Sequence, residues 1–175
     1  ELTSKSRKVH YKNGRTLIRT ENKLDQGGIL TILNDVTELE QIEAKEKLLS
    51  SSLENMSYAV ALWDKDNKLV RFNEALRRNN EKFGMKTEVG ISFKDALERQ
   101  VKGSFYNIAE SDKKDWINKG LKYWKNLKGE HTVTYQHPNG QHSMVTDKRL
   151  DDGGTLQIIS DVTYLKKQEK ELIRL

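Results

Sequence analysis

The sequence predicts an α+β fold: a five-stranded antiparallel sheet, helices over one of its faces, and a helix that leaves directly from the last strand. Three observations predict it. First, the stretch from Leu150 to Thr163, a Gly-Gly turn, a β-prone run and a polar helix entry, is written earlier from Leu24 to Thr37. The offset of 126 residues (Asp35 to Asp161) holds without a gap from Val9–Leu49 to Tyr135–Leu175, with about 15 identities in 41 positions. A repeat of this kind is one supersecondary unit written twice. Second, each copy reads as three short strands joined by tight turns, which is an antiparallel meander. Third, the residues between the copies hold two more β-prone runs and three capped helices.

Composition narrows the function classes. The chain has 175 residues, 35% hydrophobic and 33% charged, enough for one core of ordinary size. Its net charge of +5 allows an anionic partner without demanding one. There is no cysteine, so disulfides, thiolate metal sites and thiol-linked chromophores are excluded. No apolar run reaches the roughly 18 residues that span a bilayer, and a cytoplasmic location is the expectation. Residue Glu1 does not read as a native start, so further segments are expected upstream.

Taken in order, residues 1–8 are polar and read as disordered or a ragged strand. Strands are expected at 9–12, 15–22 and 29–34. Asn13-Gly14 forms a two-residue turn in which positive φ is cheap. Leu17, Leu30 and Ile32 are expected to make the meander's apolar face, which alone is marginal. Thr37 to Glu40 fits a capping box, in which hydroxyl and carboxylate cap each other's amides. The following helix, to about Asn55, places Leu39, Ile42, Leu49, Leu53 and Met56 on a 3-4 spacing interrupted by Glu46, a coiled-coil-like seam. Residues 58–63 and 68–72 form a hairpin, and Asn73 caps a short helix, 74–79. Ser92 to Asp95 is a second capping box opening a helix to Lys102, with Gly103 as its stop. Residues 105–110 connect to a longer helix capped by Ser111 or Asp112 and running to Lys128. On that helix Trp116, Ile117, Leu121 and Trp124 share one face, and lysines cover the rest. The second meander occupies 130–137, 141–149 and 155–160. Its exit helix carries Leu165, Leu172 and Leu175 in the same heptad phase, with Gln168 in the remaining slot.

The order strand, strand, short helices, long helix, three strands, exit helix resembles the PAS sensory fold. The residues carrying the likeness are Tyr58 to Asp64 followed by Leu69 to Leu76, similar to the family's opening hairpin and capping asparagine. Asp161-Val162-Thr163 resembles its closing Asp-x-Thr, and Asp35-Val36-Thr37 is the matching tail of a preceding copy. The long helix before the third strand resembles a bacterial subgroup of the family. On this resemblance 1–37 are the C-terminal strands of a preceding repeat and 38–55 a linker helix. Residues 56–163 are then a complete domain, and 164–175 the start of an exit signalling helix.

The resemblance implies a sensory input module of a tandem-repeat bacterial signal-transduction protein, of histidine kinase or nucleotide cyclase type. The effector would follow residue 175, and the chain itself would not be an enzyme. It implies a homodimer through helices 38–55 and 164–175, and a signal relay at Asp161, Thr163, Asp35 and Thr37. It also implies a small-molecule pocket between sheet and helices, for which the candidates are Trp63, Phe72, Phe83, Phe93, Leu97, Trp116, Trp124, Tyr135, Met144 and Ile158. The competing readings are a filled core in a ligand-free dimerisation scaffold, and a nucleic-acid-binding module using the lysines of 113–128. The lysines ring their helix instead of forming one face, which favours a solvated surface and no nucleic-acid partner. Of the four histidines, His10, His131, His137 and His142, three lie near strand ends or turns and are expected to be exposed. The helical side carries no histidine, which disfavours haem; no cofactor is required. No phosphate-cradling glycine loop, HExxH or nucleophile elbow supports catalysis, and no metal site is expected.

Overall fold

The structure is a computed structural model that describes residues 4–103, 105–106 and 108–173. It divides into two compact units, Glu1–Ser52 and Leu53–Leu175. The first holds strands β1 (Lys5–His10), β2 (Thr16–Lys23) and β3 (Ile29–Asp35) in the order β1-β2-β3, followed by helix α1 (Thr37–Glu54), which ends just past the boundary. The second holds β4 (Ala59–Trp63), β5 (Leu69–Phe72), α2 (Glu74–Glu81), α3 (Phe93–Lys102), α4 (Lys113–Asn126), β6 (Glu130–Gln136), β7 (His142–Arg149), β8 (Thr155–Asp161) and α5 (Thr163–Ile173). Its sheet is antiparallel, in the order β5-β4-β8-β7-β6, so the last strand lies at the centre.

The repeat is exact at the level of hydrogen bonds. β1 and β2 pair in the register of β6 and β7, as Ser6–Thr20 and Thr132–Thr146 show, and each of these pairs also joins its hydroxyls, at 2.8 and 2.9 Å. Leu17–Asp35 and Ser143–Asp161 likewise match across β2–β3 and β7–β8. The Leu24–Gly28 turn reproduces Leu150–Gly154, with amide-to-carbonyl distances of 3.1 and 2.9 Å. Gly27 and Gly153 both sit at a φ of 83–87°, where only glycine is unstrained.

Several expectations are corrected. β1 begins at Lys5, upstream of the expected 9–12, because the meander register pairs Lys5 with Glu21; residues 1–3 lie outside the described residues. Leu17 does not share a face with Leu30 and Ile32. It stands opposite Asp35, whereas Ile32 and Leu30 stand opposite Thr20 and Asn22, and Ile18 is their neighbour. The Thr37–Glu40 box does not form. Glu40 bonds Lys8 instead, and Asp35 takes the Thr37 amide at 3.0 Å. α1 ends at Glu54, leaving Met56 beyond the helical seam. α4 ends at Asn126, because Leu127 leaves helical geometry (ψ 123°) and buries its side chain. Asp112 stands at the helix entry without a side-chain cap. The expected seam position Leu175, and residue 107 of the expected 105–110 connector, lie outside the described residues.

The core of the second unit lies between the sheet and the helices. Phe93 stacks on Trp124 (3.7 Å between centroids, 12°), and Trp63 meets both rings edge-on at 5.3 and 5.8 Å. Ala59, Ala61, Leu69, Leu76 and Leu97 complete the cluster. Asn67 in the β4–β5 turn adopts a φ of 60°, which Asn tolerates, and its Oδ1 accepts the Trp124 indole N–H at 2.8 Å. Thus the hairpin turn and α4 are fixed to each other.

Asn73, 1% exposed, is the second organising residue. Its Oδ1 accepts from the amides of Leu76 (3.1 Å) and Val60 (2.9 Å). Its Nδ2 donates to the carbonyls of Leu53 (3.0 Å) and Tyr58 (2.8 Å). One side chain caps α2, fixes β4 and holds the end of α1. Ser92 caps α3 through the Asp95 amide at 3.1 Å, but the Asp95 carboxylate accepts from the Ser92 hydroxyl instead of returning to its amide.

Candidate functional site

A cavity of about 320 Å³ lies between the inner face of the sheet and α2, α3 and α4. That size is at the lower end of small-molecule sites. Small residues let the elements around it approach one another closely. The inner face of β4 carries Ala59 and Ala61, paired with Ile159 and Gln157 of β8. On α4, Gly120 faces Leu97 of α3, and a Cβ there would stand 3.0 Å from the Leu97 side chain.

The wall is aromatic: Trp63, Phe93, Phe105, Tyr106, Trp116, Tyr123 and Tyr135 all contribute. The central strands contribute a buried acid to it. Asp147 on β7 is 5% exposed, and its carboxylate accepts from the Tyr123 hydroxyl (2.9 Å) and the Gln157 side-chain amide (2.8 Å). Burial pushes the Asp147 carboxyl above its usual range, against those two bonds and the through-space pull of His131 and Arg149. Burial likewise pushes Tyr106, Tyr123 and Tyr135 upward. At the mouth, Lys86 and Arg99 are both paired with Glu88, and Lys119 with Asp115.

His137 corrects the expectation of an exposed histidine. It is 3% exposed and lies on the cavity wall, with Nδ1 3.0 Å from the Phe105 carbonyl and Nε2 2.8 Å from the Ser143 hydroxyl. Polar partners for both ring nitrogens make its burial affordable. It thereby ties the segment carrying Phe105 and Tyr106 to the sheet.

Of the ten expected pocket residues, Trp63, Phe93, Leu97, Trp116 and Tyr135 stand on the cavity wall. Trp124 is buried behind Phe93, and Phe72 packs against the same core. Phe83 lies against Phe105 and His137, with centroids at 4.4 and 5.3 Å. Met144 and Ile158 stand on the opposite face of the sheet, because the strand alternation places Ser143, Val145, Asp147, Gln157 and Ile159 inward. The reading missed Asp147, Gln157, Tyr123, Tyr106 and His137. The available signal was an acid in the middle of a β-prone strand, where acids are depleted.

The sheet passes into α5 through Asp161 and Thr163. Bonds from the Thr163 hydroxyl and amide hold the Asp161 carboxyl below its usual range, the amide at 2.9 Å. The Thr163 hydroxyl accepts the His142 amide at 2.8 Å, fastening the helix start to β7. Asp35 and Thr37 repeat this at 3.0 Å, with the Thr16 amide 2.9 Å from the Thr37 hydroxyl. Among the described residues no cluster of three metal-ligating side chains occurs, and no helix is long and apolar enough to cross a membrane.

The second unit is thus a five-stranded antiparallel sheet covered on one face by helices, with its last strand central and running into a helix. Residues 53–170 match the family described as the PAS fold, and the chain belongs to that family. PAS domains are typical of the sensory modules of signalling proteins. Similar solved structures include the PAS domain of an HTR-like protein from Haloarcula marismortui, at 14% identity and a TM-score of 0.42 over 71% of this chain and 97% of that one. A domain of a sensory box sensor histidine kinase/response regulator from Geobacter sulfurreducens is 16% identical, with a TM-score of 0.38 over 69% of this chain and 96% of that one. The phage VqmA-DPO complex is 15% identical, with a TM-score of 0.45 over 75% of this chain and 59% of that one. No curated protein matches the chain.

Proposed function

We propose that residues 53–173 are the input module of a multidomain signal-transduction protein of histidine kinase or cyclase type. A small molecule in the cavity biases the packing of β8 and hence the start of α5. One observation carries this reading: β8 puts Gln157 and Ile159 on the cavity wall and Asp161 at the α5 junction, within a single strand. A ligand that shifts the strand shifts the carboxylate that caps the helix. The chain on this reading is not itself catalytic, and 1–37 are the closing strands of a preceding repeat, as their identical register supports.

Hydrogen exchange with and without a cavity-bound aromatic alcohol tests the reading. Slowed exchange in peptides covering both 155–161 and 162–166 is expected. Protection confined to α3 and α4 would overturn it.

A second reading has its own observation. Leu39, Ile42 and Leu49 on α1, and Leu165 and Leu172 on α5, are all exposed. Such seams suit a dimerisation scaffold with an empty cavity. A concentration-dependent mass from light scattering, lost in a Leu165→Glu/Leu172→Glu double variant, supports dimerisation through α5.

A further inference from the structure

Asp147 is a puzzle for a merely filled core. Its carboxylate sits on the floor of an aromatic cavity, 5% exposed, and both its partners are neutral donors. Of the charged residues on the cavity wall, the three cations Lys86, Arg99 and Lys119 have acidic partners of their own, Glu88 and Asp115. They therefore leave no charge to spare for it. His131 faces Asp147 across β6–β7, and Arg149 lies on its own strand, but both act on it only through space. Arg149 is committed to the carbonyls of Trp124 and Gly153, at 2.6 and 3.1 Å. A buried carboxylate needs a countercharge or it loses its ionisation, and burial here acts in that direction.

The rest of the cavity suits what would supply that countercharge. Trp63, Trp116, Tyr106 and Tyr135 present aromatic surface to the same space, which attracts a cation desolvated beside it. The Trp63 indole N–H is buried and has no acceptor among the described residues.

We infer that the cavity takes a small aromatic molecule bearing a protonated amine, and that Asp147 anchors the ammonium while the aromatic wall holds the ring. The inference rests on the proposal that the cavity binds a ligand, and adds the ligand's charge and class. Gln157 is a positioning residue here: it orients the carboxylate and connects the anchored charge to β8. The paired cations at the mouth favour anions only weakly, because Glu88 and Asp115 neutralise them.

Three probes of one size separate the possibilities: phenethylamine, phenethyl alcohol and phenylacetate, titrated calorimetrically into the chain at neutral pH. The amine is expected to bind at least tenfold more tightly than the alcohol, and phenylacetate more weakly than both. In Asp147→Asn the amine's advantage over the alcohol is expected to vanish while the alcohol's affinity stays within about twofold. Asp147→Glu is expected to keep part of the advantage, and it serves as the readout if the Asn variant does not fold. Equal binding of amine and alcohol, or tighter binding of phenylacetate, overturns the charge assignment and leaves the cavity reading standing. An advantage that survives in Asp147→Asn overturns the assignment to this residue. Failure of all three probes to bind overturns the cavity reading itself, and this inference with it.

Discussion

The β1–β3 and β6–β8 meanders share their register, their turns and their helix junctions, yet their surroundings differ. Every residue of β3 is exposed, while in β8 only Asp161 is. The identities between the copies are distributed unevenly over the two faces. Within the strands, Thr20 with Thr146, Leu30 with Leu156 and Ile32 with Ile158 are identical, and all lie on the face away from the cavity side. On the other face the pairs are Val9 and Tyr135, Leu17 and Ser143, Glu21 and Asp147, Thr31 and Gln157. The one identity there, Asp35 with Asp161, stands at the strand end where the helix begins. Turns, outer face and junction form a common scaffold, and the cavity wall is what distinguishes the copies. The comparison supports reading the cavity's chemistry as the second unit's own.

Four pairs of substitutions would break or sharpen this contrast. The largest effect is expected for Trp124→Ala, which removes the ring stacked on Phe93 and should cost about 3–5 kcal/mol in denaturant unfolding of the second unit. Leu33→Ser in the first meander, exposed at 53%, should stay within about 0.5 kcal/mol. A comparable loss there would mean that the first meander has a core of its own in solution.

Next comes Gly154→Ala. The added methyl would meet the Trp63 carbonyl at 2.7 Å, and about 1–3 kcal/mol is expected, with weakened amide protection across β4–β8. Its counterpart Gly28 has nothing within 4 Å, so Gly28→Ala should cost only the strain of its φ of 106°, about 1 kcal/mol. Equal costs would remove the distinction.

The junctions come third. Asp161→Ala should lose about 0.5–1 kcal/mol as a helix cap, discounted for its exposure. Because the folded carboxyl lies below its usual value, this stability is present above about pH 4 and fades as the pH falls through the lowered value. Asp35→Ala should show the same pH window and a smaller shift in melting temperature. A loss independent of pH would show that packing, and not the carboxylate, holds the junction.

The smallest effect has the opposite sign. Burial raises the Asp147 carboxyl, so the folded state binds its proton more tightly than the unfolded chain does. Its contribution is most favourable below the ordinary value of 3.8 and is lost as pH rises through the raised one. Asp147→Asn should therefore raise the melting temperature at pH 7, with the gain disappearing on acidification. Glu21→Gln at the equivalent place, where Glu21 pairs with Arg19 on the surface, should change little at any pH. A destabilised Asp147→Asn at pH 7 would indicate a native countercharge at the site.

The strands, helices, their order and the Asn73 cap were legible because each rests on local chemistry: glycine turns, capping side chains and apolar spacing. The phase of β7 and β8 was not. Met144 is followed by Val145 and Ile158 by Ile159, so the apolar pattern offers no preference between faces. Choosing Met144 and Ile158 followed the rule that polar residues point outward, and the inner face here carries Ser143, Asp147 and Gln157. A polar-lined cavity inverts that rule, and only the partners across space reveal it. The same cause hid His137, whose burial depends on Phe105, 32 positions away in the chain.

Asn73 has a mechanical implication. The carbonyl of Leu53, at the close of the incoming helix, hangs from the same side chain that grips β4 at the Val60 amide, and β4 runs beside β8, from which the outgoing helix departs. Arrival and departure therefore occupy adjoining tracks at the middle of the sheet, clamped at one end by a single carboxamide. The chain thus enters the domain beside the strand from which it leaves, and one buried side chain holds the entry.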